Sequence, residues 1–363
     1  MGLGARLPDF PWDTLSAAKA LASAHPDGLV DLSVGTPVDP TPDLAREALA
    51  AASDAHGYPT VWGAPATRRA VLDYLARRWS ALPLPDEGVL PVIGTKELVA
   101  WLPTLLDLRA DDAVVFPECA YPTYEVGALT AGARPVPLDD PARIPEDARL
   151  IWINSPANPT GRILGLDEMR AFVAAARDRG AVLASDECYG EFAWEAEPFS
   201  VLDPRVNDGD VTGLLAVGSL SKRSNAAGYR AGFVAGDPDV VQRLVAARKH
   251  LGMIVPAPIQ AAMVAMLGDQ RHVEEQRERY LARRALLAPA LRAAGFRIEH
   301  SEGSLYLWVT RDEDCRASVE WLAERGILAA PGDFYGAAAA RHVRVALTAT
   351  DERIAAAAAR LTA

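Results

Sequence analysis

Apolar positions fall in two different periods along this chain. Between residues 89 and 236 short, nearly continuous apolar runs recur: VLPVI (89–93), AVVFP (113–117), ARPVPL (133–138), LIWIN (150–154), AVLASD (181–186), TGLLAVGS (212–219) and GFVAG (232–236). Runs of this length and apolarity predict strands buried on both faces. The stretches between them carry apolar residues at helical spacing and predict helices over 97–108, from Tyr121 onward, and over 167–179. Strands alternating with helices predict an α/β fold with a mostly parallel sheet between helices. Ligands of such sheets bind beyond the carboxyl ends of the strands.

On either side of this stretch the pattern changes. Residues 41–55 and 65–80 read as helices, the first with Asp43 near its start. Residues 258–267 and 270–294 also read as helices, and short strands alternate with helices from there to the end. Residues 1–40 are rich in Pro, Gly and Asp and read as an extended arm. The expected organisation is a large domain over 41–255 and a smaller α/β domain built from 256–363 and the arm 1–40.

Composition narrows the function. The formal net charge of −11 opposes general nucleic-acid binding, which needs a basic patch. Three scattered cysteines make neither a disulfide framework nor a C-x-x-C pair. The first residues hold no apolar run suited to a signal peptide, and charges and prolines interrupt every candidate membrane span, so a cytoplasmic protein is expected. Metal-binding H-E-x-x-H, Walker A, G-x-S-x-G and full G-x-G-x-x-G patterns are missing, and no metal site is expected. Of 37 basic residues only four are lysines: Lys19, Lys96, Lys222 and Lys249. The plain reading of that bias is codon usage in a GC-rich genome, and it leaves few candidates for lysine chemistry.

Four polar groups sit where strands are predicted to end. Gly94-Thr95-Lys96-Glu97 opens a helix and offers backbone N–H groups to an anion, although Gly-Thr is also ordinary capping. Asn154-Ser155-Pro156-Ala157-Asn158-Pro159-Thr160-Gly161 is a Pro- and Gly-fixed loop that presents the Asn158 amide; the plainer reading is a turn. Ser185-Asp186-Glu187-Cys188-Tyr189 ends an apolar strand in two acids, which calls for a cationic partner or a helix cap. Ser219-Leu220-Ser221-Lys222 follows a buried strand, with Arg230 eight residues on. A lysine there is either a solvated strand end or an amine whose pKa burial depresses, making it a nucleophile. Together the groups supply an anion site, an amide, a carboxylate, a Schiff-base lysine and an arginine, which is what pyridoxal 5′-phosphate (PLP) requires.

The order NSPANPTG, SDECY, SLSK, GYRAGF resembles class I/II aminotransferases of PLP fold type I along essentially the whole chain. That resemblance implies that Lys222 binds PLP as a Schiff base and shuttles the proton. It implies that Asp186 pairs with the pyridine nitrogen, that Asn158 and Tyr189 donate to the ring oxygen, and that Tyr121 stacks on the ring. The Thr95 and Lys96 N–H groups, Ser219, Ser221 and Arg230 would hold the phosphate. Tyr58 would reach it from a neighbouring subunit, making a homodimer with shared sites. Arg344 would clamp the substrate α-carboxylate, with the Gly35 backbone closing over it and Asn158 beside it. Finer segments, LPDFPWDTL (7–15), DLSVGTPVDPTP (31–42), GTKELVAWLP (94–103), SLSKRSNAAGYRAGF (219–233) and EGSLYLW (302–308), are similar to succinyldiaminopimelate aminotransferases of bacterial lysine synthesis. The implied substrates are glutamate/2-oxoglutarate and a polyanionic diaminopimelate derivative, with Arg223 and Arg162 as candidates for its distal carboxylates. The alternatives are an alanine or aromatic aminotransferase, a carbon–sulfur β-lyase, a PLP-sensing regulator and a non-catalytic scaffold.

Overall fold

The computed structural model describes residues 7–363 together with Gly2 and Gly4. The predicted apolar runs form one seven-stranded sheet. Its spatial order is Val89–Val92, Gly232–Gly236, Leu214–Ser219, Val182–Asp186, Ala148–Asn154, Ala113–Phe116, Arg134–Pro137. Six strands run one way; Gly232–Gly236 is antiparallel to both its neighbours. Successive strand residues feed two different cores, as a period of two requires. Val115, Ile151, Ile153 and Leu183 pack towards helices Pro65–Trp79 and Leu166–Arg179. Val114, Leu150, Trp152 and Ala184 pack towards helices Thr95–Leu105 and Pro238–Leu251. Both faces are therefore dry over the inner strands, which explains why those strands read as continuous apolar runs rather than alternating ones, while the edge strand Arg134–Pro137 is partly exposed.

A second core surrounds an antiparallel sheet of order Ala330–Pro331, Val343–Ala346, Tyr306–Thr310, Arg297–Glu299. Helices Arg271–Ala293, Cys315–Ala323 and Asp351–Thr362 cover it. The N-terminal arm joins this core through Leu15, Val30 and Leu32, and Val30 pairs in parallel with Ile327.

Two details differ from the sequence expectation. The arm is not simply extended: it holds a 3₁₀ turn Pro11–Leu15 and an α-helix Ser16–Ser23, whose short, alanine-rich face gives a weak periodic signal. Helix Ala257–Gly268 lies beyond residue 255 yet buries Met263, Met266 and Leu267 in the large-sheet core, against helices Asp43–Ala51 and Pro65–Trp79. Its mostly apolar surface shows no face that would have told which core it joins. Among the described residues no helix is long and apolar enough to cross a membrane.

Candidate active site

A cavity of about 560 Å³ opens where the carboxyl ends of the large-sheet strands meet the smaller sheet and the arm. Its floor is built by strand register. Asn154 and Asp186 are paired final positions of neighbouring parallel strands, and Asp186 pairs with Val217 of the next. The Asn154 Nδ2 donates to the Asp186 carbonyl at 2.8 Å, and its Oδ1 accepts from the Asn158 N–H at 2.7 Å. Asn154 thus ties the loop to the floor.

Asp186 is buried and accepts from the Tyr124 hydroxyl at 2.8 Å and the Cys188 N–H at 3.2 Å. Among the described residues it has no ion-pair partner, and burial raises its pKa. Strand Leu214–Ser219 runs straight into the helical turn Leu220–Arg223, where the Ser219 Oγ accepts from the Ser221 N–H at 3.1 Å. This turn aims Lys222 into the cavity. Its Nζ donates to the Gly35 carbonyl, and burial lowers its pKa.

Gly94, Thr95 and Lys96 form the N-terminus of helix Thr95–Leu105 beside Arg230. Gly94 sits in the left-handed region at φ 72°, which favours glycine, and a Cβ there would lie 2.5 Å from the Arg230 guanidinium and displace its end. Arg230 sits in the left-handed region at φ 53°, donates to the Ala227 carbonyl at 2.9 Å and has no acidic partner among the described residues.

Arg344 lies in strand Val343–Ala346, 3% exposed. It donates to the Asn158 Oδ1 at 2.8 Å and the Ser33 carbonyl at 2.6 Å, and stacks over Tyr306 at 4.1 Å. Among the described residues it too has no carboxylate partner, and its Nε has no hydrogen-bond acceptor. With its Oδ1 engaged, Asn158 keeps its Nδ2 for the cavity. Tyr189 and Tyr306 share a hydroxyl–hydroxyl hydrogen bond of 2.9 Å. Tyr121 lies edge-on to Tyr124, and burial pushes its pKa up to about 12.

The structure thus brings Thr95, Lys96, Tyr121, Asn158, Asp186 and Tyr189 to one cavity wall system with Ser219, Ser221, Lys222, Arg230, Gly35 and Arg344. Tyr58 is different: it is fully exposed and does not line this cavity. Arg223 and Arg162, the candidates for distal carboxylates, are not there either. Arg223 is buried on Glu191 (3.1 Å) and the Met266 carbonyl (2.6 Å), while Arg162 pairs with Glu168 beside a separate cavity of about 320 Å³. Sequence reasoning passed over Tyr124, Asn154, Tyr306, Phe10 and Trp12. The signals were present: Tyr124 is one helical turn beyond Tyr121, and the others lie inside segments already singled out.

The cavity gathers cations against a shortage of acids. Lys96, Lys222, Arg230 and Arg344 line it, and Asp186 is its one carboxylate. Comparison with known proteins agrees with that chemistry. The family model for aminotransferase class I and II matches residues 27–361. The chain belongs to this family, and its cofactor is PLP. It is 62% identical to a probable aminotransferase of Mycobacterium tuberculosis, over 99% of this chain and 87% of that protein. It is 57% identical to the 4-dedimethylamino-4-oxo-anhydrotetracycline transaminase of Streptomyces rimosus, over 98% and 99% of the two chains. An LL-diaminopimelate aminotransferase of Dehalococcoides mccartyi is 31% identical over 96% of this chain and 94% of its own. A solved aminotransferase from Neisseria meningitidis superposes with a TM-score of 0.91 at 30% identity, covering 99% and 98% of the chains.

Proposed function

We propose that this transaminase moves the amino group of glutamate to N-succinyl-2-amino-6-ketopimelate in diaminopimelate and lysine synthesis. The observation that carries the reading is that, with Lys222 on the cofactor, Arg230 on its phosphate and Arg344 on the α-carboxylate, Lys96 remains as a further basic side chain on a cavity whose one carboxylate among the described residues is Asp186. Such a cleft favours dianionic donors and polyanionic acceptors. The five segments similar to succinyldiaminopimelate aminotransferases support it, as does the relatedness to an LL-diaminopimelate aminotransferase.

PLP, when bound, supplies the electron sink that makes the substrate Cα–H acidic. In this reading Lys222 holds the cofactor at rest, and its Nζ moves the proton at Cα. Burial lowers the pKa of that amine and so favours the neutral form this needs. Asp186, oriented by Tyr124 and the Cys188 N–H, would pair with the pyridine nitrogen. Asn158 Nδ2 and Tyr189 would donate to the ring oxygen, and Tyr121 would hold the ring. The N–H groups of Thr95 and Lys96, with Ser219, Ser221 and Arg230, would take the phosphate. Arg344 binds the substrate α-carboxylate beside Asn158 and the Gly35 backbone. Tyr58 completes the phosphate site of a second copy in a homodimer, a role suited to a fully exposed tyrosine. The domain division is 41–255 with helix Ala257–Gly268 against 1–40 with the rest of 256–363.

A second reading rests on the 57% identity to the Streptomyces rimosus enzyme: the acceptor is a polycyclic ketone of the kind that enzyme's name states. Transamination from glutamate decides, with N-succinyl, N-acetyl and unmodified 2-amino-6-ketopimelate, pyruvate and 4-dedimethylamino-4-oxo-anhydrotetracycline as acceptors. Preference for the N-succinyl acceptor is expected. Preference for pyruvate or the polycycle overturns the lysine-pathway reading, and release of a thiol, pyruvate and ammonia from a cysteine thioether supplied without any keto acid identifies a β-lyase.

A further inference from the structure

The bond between Tyr189 and Tyr306 joins the large sheet to the small one. Tyr189 follows the end of strand Val182–Asp186, and Tyr306 opens strand Tyr306–Thr310, 117 positions away. Strand register sets Tyr306 in place. It pairs with Ala346, two residues beyond Arg344, so its ring shares a face with that guanidinium, which lies over it at 4.1 Å. The two tyrosine rings meet edge to face with centroids 5.6 Å apart. Tyr306 is buried, and a Cβ on Gly35 would come within 2.0 Å of its hydroxyl oxygen, so the arm backbone closes on that oxygen.

A count of protons gives this pair a direction. A tyrosine hydroxyl has one proton to donate and lone pairs to accept with. Among the described residues each of these hydroxyls has the other as its only hydrogen-bond partner. Burial raises the Tyr189 pKa, so its proton is retained. One proton of the pair therefore lies in the bond and one is free. Tyr189 has its proton free for the cavity only when Tyr306 is the donor.

We infer that Tyr306 is a positioning residue for the cofactor, its hydroxyl donating to Tyr189 so that the Tyr189 proton is left for the ring oxygen of PLP. The inference rests on the assignment of Tyr189 to that oxygen in the reading above and adds a residue that acts only through it. Hydroxyls in series polarise one another, so the outer bond strengthens the inner one. When the nitrogen joining Lys222 to PLP loses its proton, the ring oxygen carries its full negative charge. A stronger donor there favours that form and lowers the pKa of the nitrogen.

Absorbance of the holoenzyme against pH reads this pKa, because the linkage absorbs at longer wavelength with its proton than without. Tyr→Phe changes keep both rings, including the one under Arg344. Lys96, Tyr121, Asp186, Cys188, Arg230 and Arg344 line the same cavity and stay in place in every variant. Tyr189→Phe should raise the midpoint by about 1 pH unit or more, and Tyr306→Phe by about 0.5, the smaller effect of one bond on the next. Added to Tyr189→Phe, Tyr306→Phe should raise it no further. No shift with Tyr189→Phe takes Tyr189 off the ring oxygen and the inference falls with it. A shift with Tyr189→Phe and none with Tyr306→Phe overturns the inference alone. So does a lower midpoint in Tyr306→Phe, which means that Tyr189 was the donor, or an equal rise with and without the Tyr189 hydroxyl, which means that Tyr306 acts on the linkage directly.

Discussion

Two sets of buried charges, one holding Glu191 and the other Asp186 five positions before it, have opposite states. In the first, Glu191 and Arg223 are 8% and 3% exposed and face each other at 3.1 Å, with Arg78 also 3.1 Å from Glu191. Arg223 adds the Met266 and Asp269 carbonyls and Gln270. Burial pulls the Glu191 pKa up, but the two arginines outweigh it and hold the carboxyl below its ordinary value. In the second, Asp186 and Arg344 are 7% and 3% exposed, equally buried, yet neither has a counter-ion among the described residues. Burial there prevails, and the Asp186 pKa is raised. Burial alone does not mark a site. A buried charge whose partners are all supplied by the chain holds the fold together; one whose partners are missing is waiting for a ligand.

That contrast is broken most severely at Lys222. Lys222→Ala should abolish covalent, borohydride-reducible PLP attachment and lower kcat by roughly 10⁴-fold or more, since the other lysine on this cavity, Lys96, sits at the start of helix Thr95–Leu105 with its side chain over the Phe10 ring. A substituted protein that keeps reducible PLP at another residue would remove Lys222 from the centre of the site. Next comes Asp186→Asn, which keeps the shape and the Tyr124 hydrogen bond but deletes the charge. Turnover should fall about 10²- to 10³-fold and PLP should dissociate more readily, measured by absorbance after gel filtration.

The arginines sharpen the comparison directly. Arg344→Met removes an unpaired guanidinium, so the melting temperature of the holoenzyme should hold or rise, while kcat/KM for glutamate falls about 100-fold. Glu191→Gln should do the reverse. It leaves Arg223 buried without its carboxylate, at a cost of about 3 kcal/mol and a melting temperature lower by roughly 5 °C, with KM for glutamate nearly unchanged. If both substitutions destabilise alike, the two clusters are the same kind of structure and the distinction fails.

Most of the floor of the site was legible in the sequence because strand ends are. A continuous apolar run predicts a doubly covered strand, and the polar residue that stops it, such as Asn154 or Asp186, must lie at the carboxyl edge. What was not legible depends on through-space partners. Nothing in SLSKR tells Arg223 from a ligand-binding arginine; only its meeting with Glu191, 32 positions away, does. Trp12 and Tyr306 lie in recognisable motifs, yet an aromatic in an arm or strand reads as core until its neighbours are known. Helix Ala257–Gly268 was placed at the right residues, yet its apolar, nearly faceless surface did not show which core it joins.

Glu187 offers the smallest and most delicate test, because it stands between the two clusters in kind. It is buried and accepts from the Ser200 hydroxyl at 3.0 Å and the Val201 N–H at 2.8 Å, but no cation faces it. Burial pushes its pKa up to about 7. An acid raised on folding favours the native state most below its ordinary pKa. Between that value and about 7 the folded protein keeps a proton the unfolded chain has released, so stability declines as pH rises through this window and levels off above it. Glu187→Gln stays neutral while its Oε1 still accepts both hydrogen bonds. Its melting temperature should match wild type near pH 5 and exceed it at pH 8, the gap reflecting on the order of 2 kcal/mol. A gap that does not change with pH would mean that Glu187 remains charged in the fold and is satisfied by its two donors alone.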